Sequence, residues 1–189
     1  VYLNFAESLF KISPNNKLSM TILISLLDKN VSYLDRINVR SFDIITNCFN
    51  KYGKNNSVLA YELSLFINSK NPDDLYTDEG KKWVKVLDTI SKIVFNDLST
   101  IKVITEKLRR TTSEDKRLEI AKCLAKITFN NTEEHSQAII ALDELARFSE
   151  DKYLQASTAR YWAQIEPENP TPINILIELL QKYQNQWIS

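Results

Sequence analysis

A turn that recurs along the chain restricts its fold more than any other feature. Residues 159–170 read Ala-Arg-Tyr-Trp-Ala-Gln-Ile-Glu-Pro-Glu-Asn-Pro, the end of one helix, a tight turn and the start of another. The same template returns as Ala121-x-x-Leu124-x-x-Ile127-x-Phe129-x-Asn131 and as Ala6-x-x-Leu9-x-x-Ile12-x-Pro14-x-Asn16, with looser versions ending at Asp97 and Asn56. Anchored on its isoleucine position, the template falls at Ile12, Tyr52, Ile93, Ile127 and Ile165, with spacings of 40, 41, 34 and 38 residues. That period belongs to arrays whose repeating unit is a pair of helices, each pair too small to bury its own apolar face.

The anchors divide the chain into helices that end at a turn, here called trailing, and helices that begin after one, here called leading. Trailing helices are predicted over residues 1–12, 33–52, 81–95, 114–129 and 152–165, and leading helices over 17–28, 57–68, 98–110, 133–148 and 170–183. The period supports them: Ile120, Ala121, Leu124 and Ile127 share one helical face, as do Ala138, Ile139, Leu142, Leu145 and Ala146. The repeated Asn16, Asn56, Asp97, Asn131 and Asn169 stand where a side-chain oxygen accepts from the orphan amides of the next helix. Only two glycines occur in 189 residues, which disfavours a fold of many tight hairpins. The fold class expected is therefore all-α, one domain over residues 1–189 built from about five helix pairs. Residues 69–80, with Asp73, Asp74, Asp78 and Glu79, interrupt the rhythm as an acidic inserted loop.

The turn motif, followed by helices such as Ile173-x-x-Leu176-Ile177-x-Leu179-Leu180, resembles HEAT repeats. Ile165-Glu-Pro-Glu-Asn-Pro and Ile12-Ser-Pro-Asn-Asn are similar to the variant in bacterial HEAT arrays attached to signalling NTPases of the NACHT or STAND type. The resemblance implies a right-handed α-α superhelix, of the armadillo-like kind, in which the trailing helices line the concave surface. It also implies scaffolding, sensing or protein binding in signal transduction, and a chain that is the C-terminal region of a longer protein.

Catalytic chemistry is not expected. Gly53 and Gly80, the two glycines, cannot build a phosphate-cradling loop. The sole histidine, His135, stands beside Glu133 and Glu134 in a predicted first turn and reads as a solvated or capping residue. Cys48 and Cys123 are too far apart in the sequence to suggest a metal site or a disulfide framework, and they read as reduced core residues. No cofactor and no metal are expected, and a cytoplasmic protein without a membrane span or secretory signal is. Trp162 and Trp83 fall on core stripes.

Charge gives the functional expectation. The total is zero, yet residues 81–126 carry twelve basic and six acidic side chains. Four trailing helices place a lysine just before the anchor, Lys11, Lys51, Lys92 and Lys126, and the fifth has Gln164 there. Arg160 continues the position of Lys122, one turn earlier. We therefore expect a partner-binding face containing Lys92, Lys126, Arg160 and Gln164, backed by Lys51, Lys85 and Lys122. A lysine in a last helical turn also complements the helix dipole without binding anything. The expected partner is another protein or a neighbouring domain of the same chain; the alternative is a nucleic acid bound through the basic segment 81–126.

Overall fold

The structure is a computed structural model that describes residues 2–28, 35–128 and 132–187. These residues form ten helices and, among them, no strand: α1 (Tyr2–Ile12), α2 (Lys17–Asp28), α3 (Asp35–Tyr52), α4 (Ser57–Ser69), α5 (Asp78–Ile93), α6 (Leu98–Arg110), α7 (Glu114–Ile127), α8 (Glu133–Phe148), α9 (Lys152–Ile165) and α10 (Thr171–Trp187). The all-α class follows. Odd-numbered helices end at the anchor turns and even-numbered ones begin there. Among the described residues, no helix is long and apolar enough to cross a membrane.

The chain divides into two compact units, Val1–Val103 and Ile104–Ser189, with the boundary inside α6. In the first unit α1 packs on α2 and α3, α3 on α2 and α5, and α4 on α2 and α5. In the second, α8 lies against α7, α9 and α10, while α9 also touches α7 and α10. Each of these contacts joins either chain neighbours or equivalent helices one pair apart. The interior of the first unit is built from Phe10, Leu23, Ile45, Phe49, Leu59, Leu63, Ile67, Trp83 and Ile90, all buried. Phe10 and Phe49 meet edge to face at 5.3 Å, a geometry that aromatic quadrupoles favour. Trp83 is closed off from solvent and donates its Nε1 proton to the Ile67 carbonyl at 3.3 Å. The core of the second unit holds Ile120, Leu124, Ile127, Leu142, Leu145, Ala159 and Trp162.

The capping residues act as their spacing predicts. Asn16 Oδ1 accepts from the Ser19 amide at 3.0 Å, Asn56 Oδ1 from Leu59 at 3.0 Å, Asp97 Oδ2 from Thr100 at 2.9 Å and Asn169 Oδ1 from Thr171 at 3.0 Å. Asn131, the remaining member of the series, lies outside the described residues; at α8 the cap bond is made by Thr132, whose Oγ1 accepts from the His135 amide at 3.1 Å. Asn56 does more than cap, since its side-chain amide donates to the Pro14 carbonyl at 2.9 Å and ties its turn to the previous one. The neighbouring Asn55 adopts a left-handed conformation, φ 60°, and its amide donates to the Ile93 carbonyl at 2.7 Å. Three anchor turns of the first unit are thereby joined through polar groups, and asparagine tolerates the positive φ that this requires.

In the acidic segment, Thr77 caps α5 by accepting from the Gly80 amide, so Asp78 and Glu79 belong to the first helical turn, where carboxylates suit the dipole. The irregular part is thereby confined to the residues between Ser69 and Asp78.

Candidate functional site

The predicted cations lie on trailing helices, and their surroundings separate them. In the first unit, Lys85 of α5 is ion-paired with Asp43 of α3, and the two line a shallow cleft of about 110 Å³ together with Phe42, Asp78, Lys81 and Lys82. Lys92 is bound one turn back by Asp88 at 2.6 Å, as Lys11 is by Glu7 at 2.6 Å; the Glu7 bond raises the Lys11 pKa. Lys51 stands 5.2 Å from the centroid of its neighbour Tyr52. These exposed pairs lie within one helix or one seam, and solvent screening leaves each contributing little.

In the second unit two of the predicted residues converge. Lys122 and Lys126 of α7 hold their ammonium groups 5.3 and 5.9 Å from the ring centroid of Tyr161 on α9. Tyr161 in turn donates its hydroxyl proton to the Lys122 carbonyl at 3.2 Å, which fixes the ring across the seam between the helices. Glu119 binds Lys122 at 2.7 Å from the same helix. Arg160 and Gln164 are exposed on α9, flanking the ring in sequence. The result is an aromatic plate edged by two lysines, with an arginine beside it in the chain. An exposed cation over such a ring gains about 0.5–1 kcal/mol, and a carboxylate arriving from a partner would meet several donors at once.

Tyr161 itself is not legible from the sequence as a site residue. Of its register equivalents, Cys48, Thr89 and Cys123 are buried and only Ser8 is exposed, so the pattern points it to the interior; its size carries the ring out of the seam, where it is half-buried. The seam position is readable, but the two lysines reach the ring only when α7 and α9 pack side by side.

His135 corrects an expectation. Its backbone amide is capped by Thr132, yet the imidazole is 3% exposed rather than solvated. The position shares a face with Ala138 and Leu142, one and two turns on, and that face is turned inward. Thr128 Oγ1 donates to the Leu124 carbonyl at 2.8 Å, so at 3.1 Å from His135 Nδ1 it is left to accept. A proton on Nδ1 matches that acceptor. Nε2 has no hydrogen-bond partner and lies 3.9 Å from Glu166 Oε1. Glu166 Oε2 accepts from Trp162 Nε1 at 2.8 Å and from Asn169 Nδ2 at 2.9 Å. Burial lowers the His135 pKa, and Glu166 opposes it.

Both cysteines are free and buried. Burial pushes the Cys48 thiol up to about 11, far from the range of a reactive thiolate. Lys107 and Lys116 are nearly enclosed, and burial followed by the Lys116 charge lowers the pKa of Lys107. Among the described residues, no three His, Cys, Asp or Glu side chains gather at metal-binding distance. A scan of protein-family models and searches of curated proteins and of solved structures found no match to the chain.

Proposed function

We propose that this chain is a non-catalytic binding module, a HEAT-like right-handed α-α superhelix that acts as a scaffold or sensor in a bacterial signalling NTPase. It takes an acidic surface of another protein, or of a neighbouring domain of its own polypeptide, along the trailing helices. The observation that carries this reading is the gathering of Lys122, Lys126 and Tyr161 from two successive trailing helices, with Arg160 beside Tyr161 in the chain. Lysines already paired with a carboxylate are weaker recruits, because a partner must first displace it. Lys126 and Arg160 therefore dominate, and Lys92 and Lys85, held by Asp88 and Asp43, contribute less.

The test is a titration of the protein partner recovered on the immobilised chain against three forms: the native sequence, Lys126→Glu/Arg160→Glu, and Lys92→Glu. The double variant is expected to lose at least tenfold in affinity, about 1.4 kcal/mol or more, and Lys92→Glu clearly less. Equal affinity of the double variant and the native chain sinks the site. Retention of duplex DNA or RNA in place of any protein favours the nucleic-acid alternative.

A further inference from the structure

Two leading helices of the first unit, α2 and α4, run side by side without closing the surface between them. Their starts are level, because the Asn56 side-chain amide at the head of α4 donates to the Pro14 carbonyl at 2.9 Å and meets the Met20 sulfur of α2 at 3.6 Å. Beyond that joint α2 faces the gap with the small residues Thr21 and Ser25, and a groove of about 600 Å³ lies open along both helices. That volume is ample for a ligand.

The floor of the groove is apolar. Met20 and Ile24 come from α2, and Val58, Leu65 and Phe66 from α4. Met20 is buried, whereas Val58 and Leu65 are 55% and 38% exposed on a helix whose other face belongs to the core. The hydroxyls in the lining add little polarity, since Ser25 Oγ donates to the Ile22 carbonyl at 2.8 Å and Ser69 Oγ to the Phe66 carbonyl at 2.9 Å, each within its own helix. Val58, Glu62, Leu65 and Ser69 follow one another at spacings of four, three and four, a single stripe of α4.

Charges stand on this floor in a definite order. Exposed Lys17 opens the groove in the first turn of α2, exposed Glu62 follows in the second turn of α4, and Lys70 closes it just after α4, its Nζ 5.9 Å from the centroid of the Phe66 ring. With the two starts level, Lys17 and Lys70 are separated by the length of α4, 13 residues or about 20 Å. Positive, negative and positive along an apolar trough define their complement, an apolar stripe about 20 Å long with a carboxylate near each end and a cation between. An amphipathic helix of about three and a half turns presents that pattern from one face. A single-chain fatty acid has one carboxylate and would leave Glu62 against its acyl chain.

We propose that the α2–α4 groove binds an amphipathic helix of another protein, acidic at both ends of its apolar face and basic in between. Lys17 and Lys70 take the carboxylates, Glu62 takes the cation, and Val58 and Leu65 are covered. None of these residues belongs to the lysine–tyrosine cluster on the trailing helices α7 and α9, so the groove stands or falls independently of it.

Two labelled synthetic helices of about 15 residues with the same apolar face test this by fluorescence anisotropy against the 189-residue chain. One carries glutamate at the ends of that face and lysine in the middle; the other carries the reverse. The first is expected to bind tighter than the second by about tenfold or more. Lys17→Glu/Glu62→Lys, which alters two exposed residues, is expected to reverse the preference, and Leu65→Glu to abolish binding of both peptides. Failure of the native chain to bind either peptide, equal affinity for the two, or a preference that survives the charge exchange overturns the proposal. So does palmitate binding, lost in Leu65→Glu, that displaces both peptides alike, which would make the groove a lipid site.

Discussion

An imidazole enclosed beside a carboxylate makes the stability of the second unit depend on pH. The pKa of His135 in the folded chain lies below its ordinary value of 6.5, because burial penalises the cation more than Glu166 rewards it. The unfolded chain binds the proton more readily. Stability is therefore full above about pH 6.5 and falls as the pH drops through the unfolded value toward the folded one, by at most about 1.4 kcal/mol per pH unit for one proton. Glu166 is the charged group nearest Nε2 among the described residues, and the Thr128 hydroxyl stands at Nδ1. Replacement by methionine, the residue at the same register position on α2, is expected to flatten the urea midpoint between pH 5 and 6.5. A midpoint that falls equally in His135→Met would place the proton elsewhere. As the chain holds one histidine, its imidazole resonance reports the titration without overlap.

Among the elements, the anchor turns are the joints, and Asn56 carries more than its equivalents. It is 5% exposed, caps α4 and reaches Pro14 of the preceding turn, whereas Asn16 only caps. Loss of a cap costs about 1 kcal/mol, and loss of a buried hydrogen bond about another. Asn56→Ala is therefore expected to lower the unfolding free energy by about 2 kcal/mol and Asn16→Ala by about 1, as read from urea denaturation. Asn56→Asp keeps the cap acceptor but gives up the donor to Pro14, so its cost isolates the tie between turns; a cost no greater than that of Asn16→Ala would show the tie to be worth nothing.

These turns also explain how much of the structure is legible in the sequence. Caps, anchors and apolar periods act within a few residues, and the helices read from them coincide with α2, α6, α8 and α9 at both ends. The marked shifts are at α10, which runs on to Trp187 past the expected end at 183, and at α5, which starts at Asp78 because Thr77 is its cap. Gly80 sits so close to the preceding loop that a β-carbon there would lie 2.2 Å from the Asp74 carbonyl oxygen. That approach depends on how the loop folds back and has no local signature. The same limit applies to the site. The lysines are readable from register, but the ring of Tyr161 and the burial of His135 depend on which helix lies alongside, at separations of 31 to 39 residues.

For the molecule as a whole, the basic middle segment is a poorer polyanion site than its composition suggests. Counted along the chain, residues 81–126 have a surplus of six positive charges. Counted in space, part of that surplus is cancelled from outside the segment, since Asp43 holds Lys85 and Glu144 holds Arg117 at 2.6 Å. Within the segment Asp88 holds Lys92, Glu106 holds Arg110, and Glu119 holds Lys122. A phosphate backbone would have to break these pairs to release counterions in number, and each contact made contributes only about 0.9 to the slope of log affinity against log salt. Binding of duplex DNA by the 189-residue chain is accordingly expected to be weak at low salt, with a slope no steeper than about 2, that is, about two phosphate contacts. A slope of about 4 or more would require the paired lysines and arginines to open together, and would move the functional reading from the Tyr161 cluster to the whole basic segment.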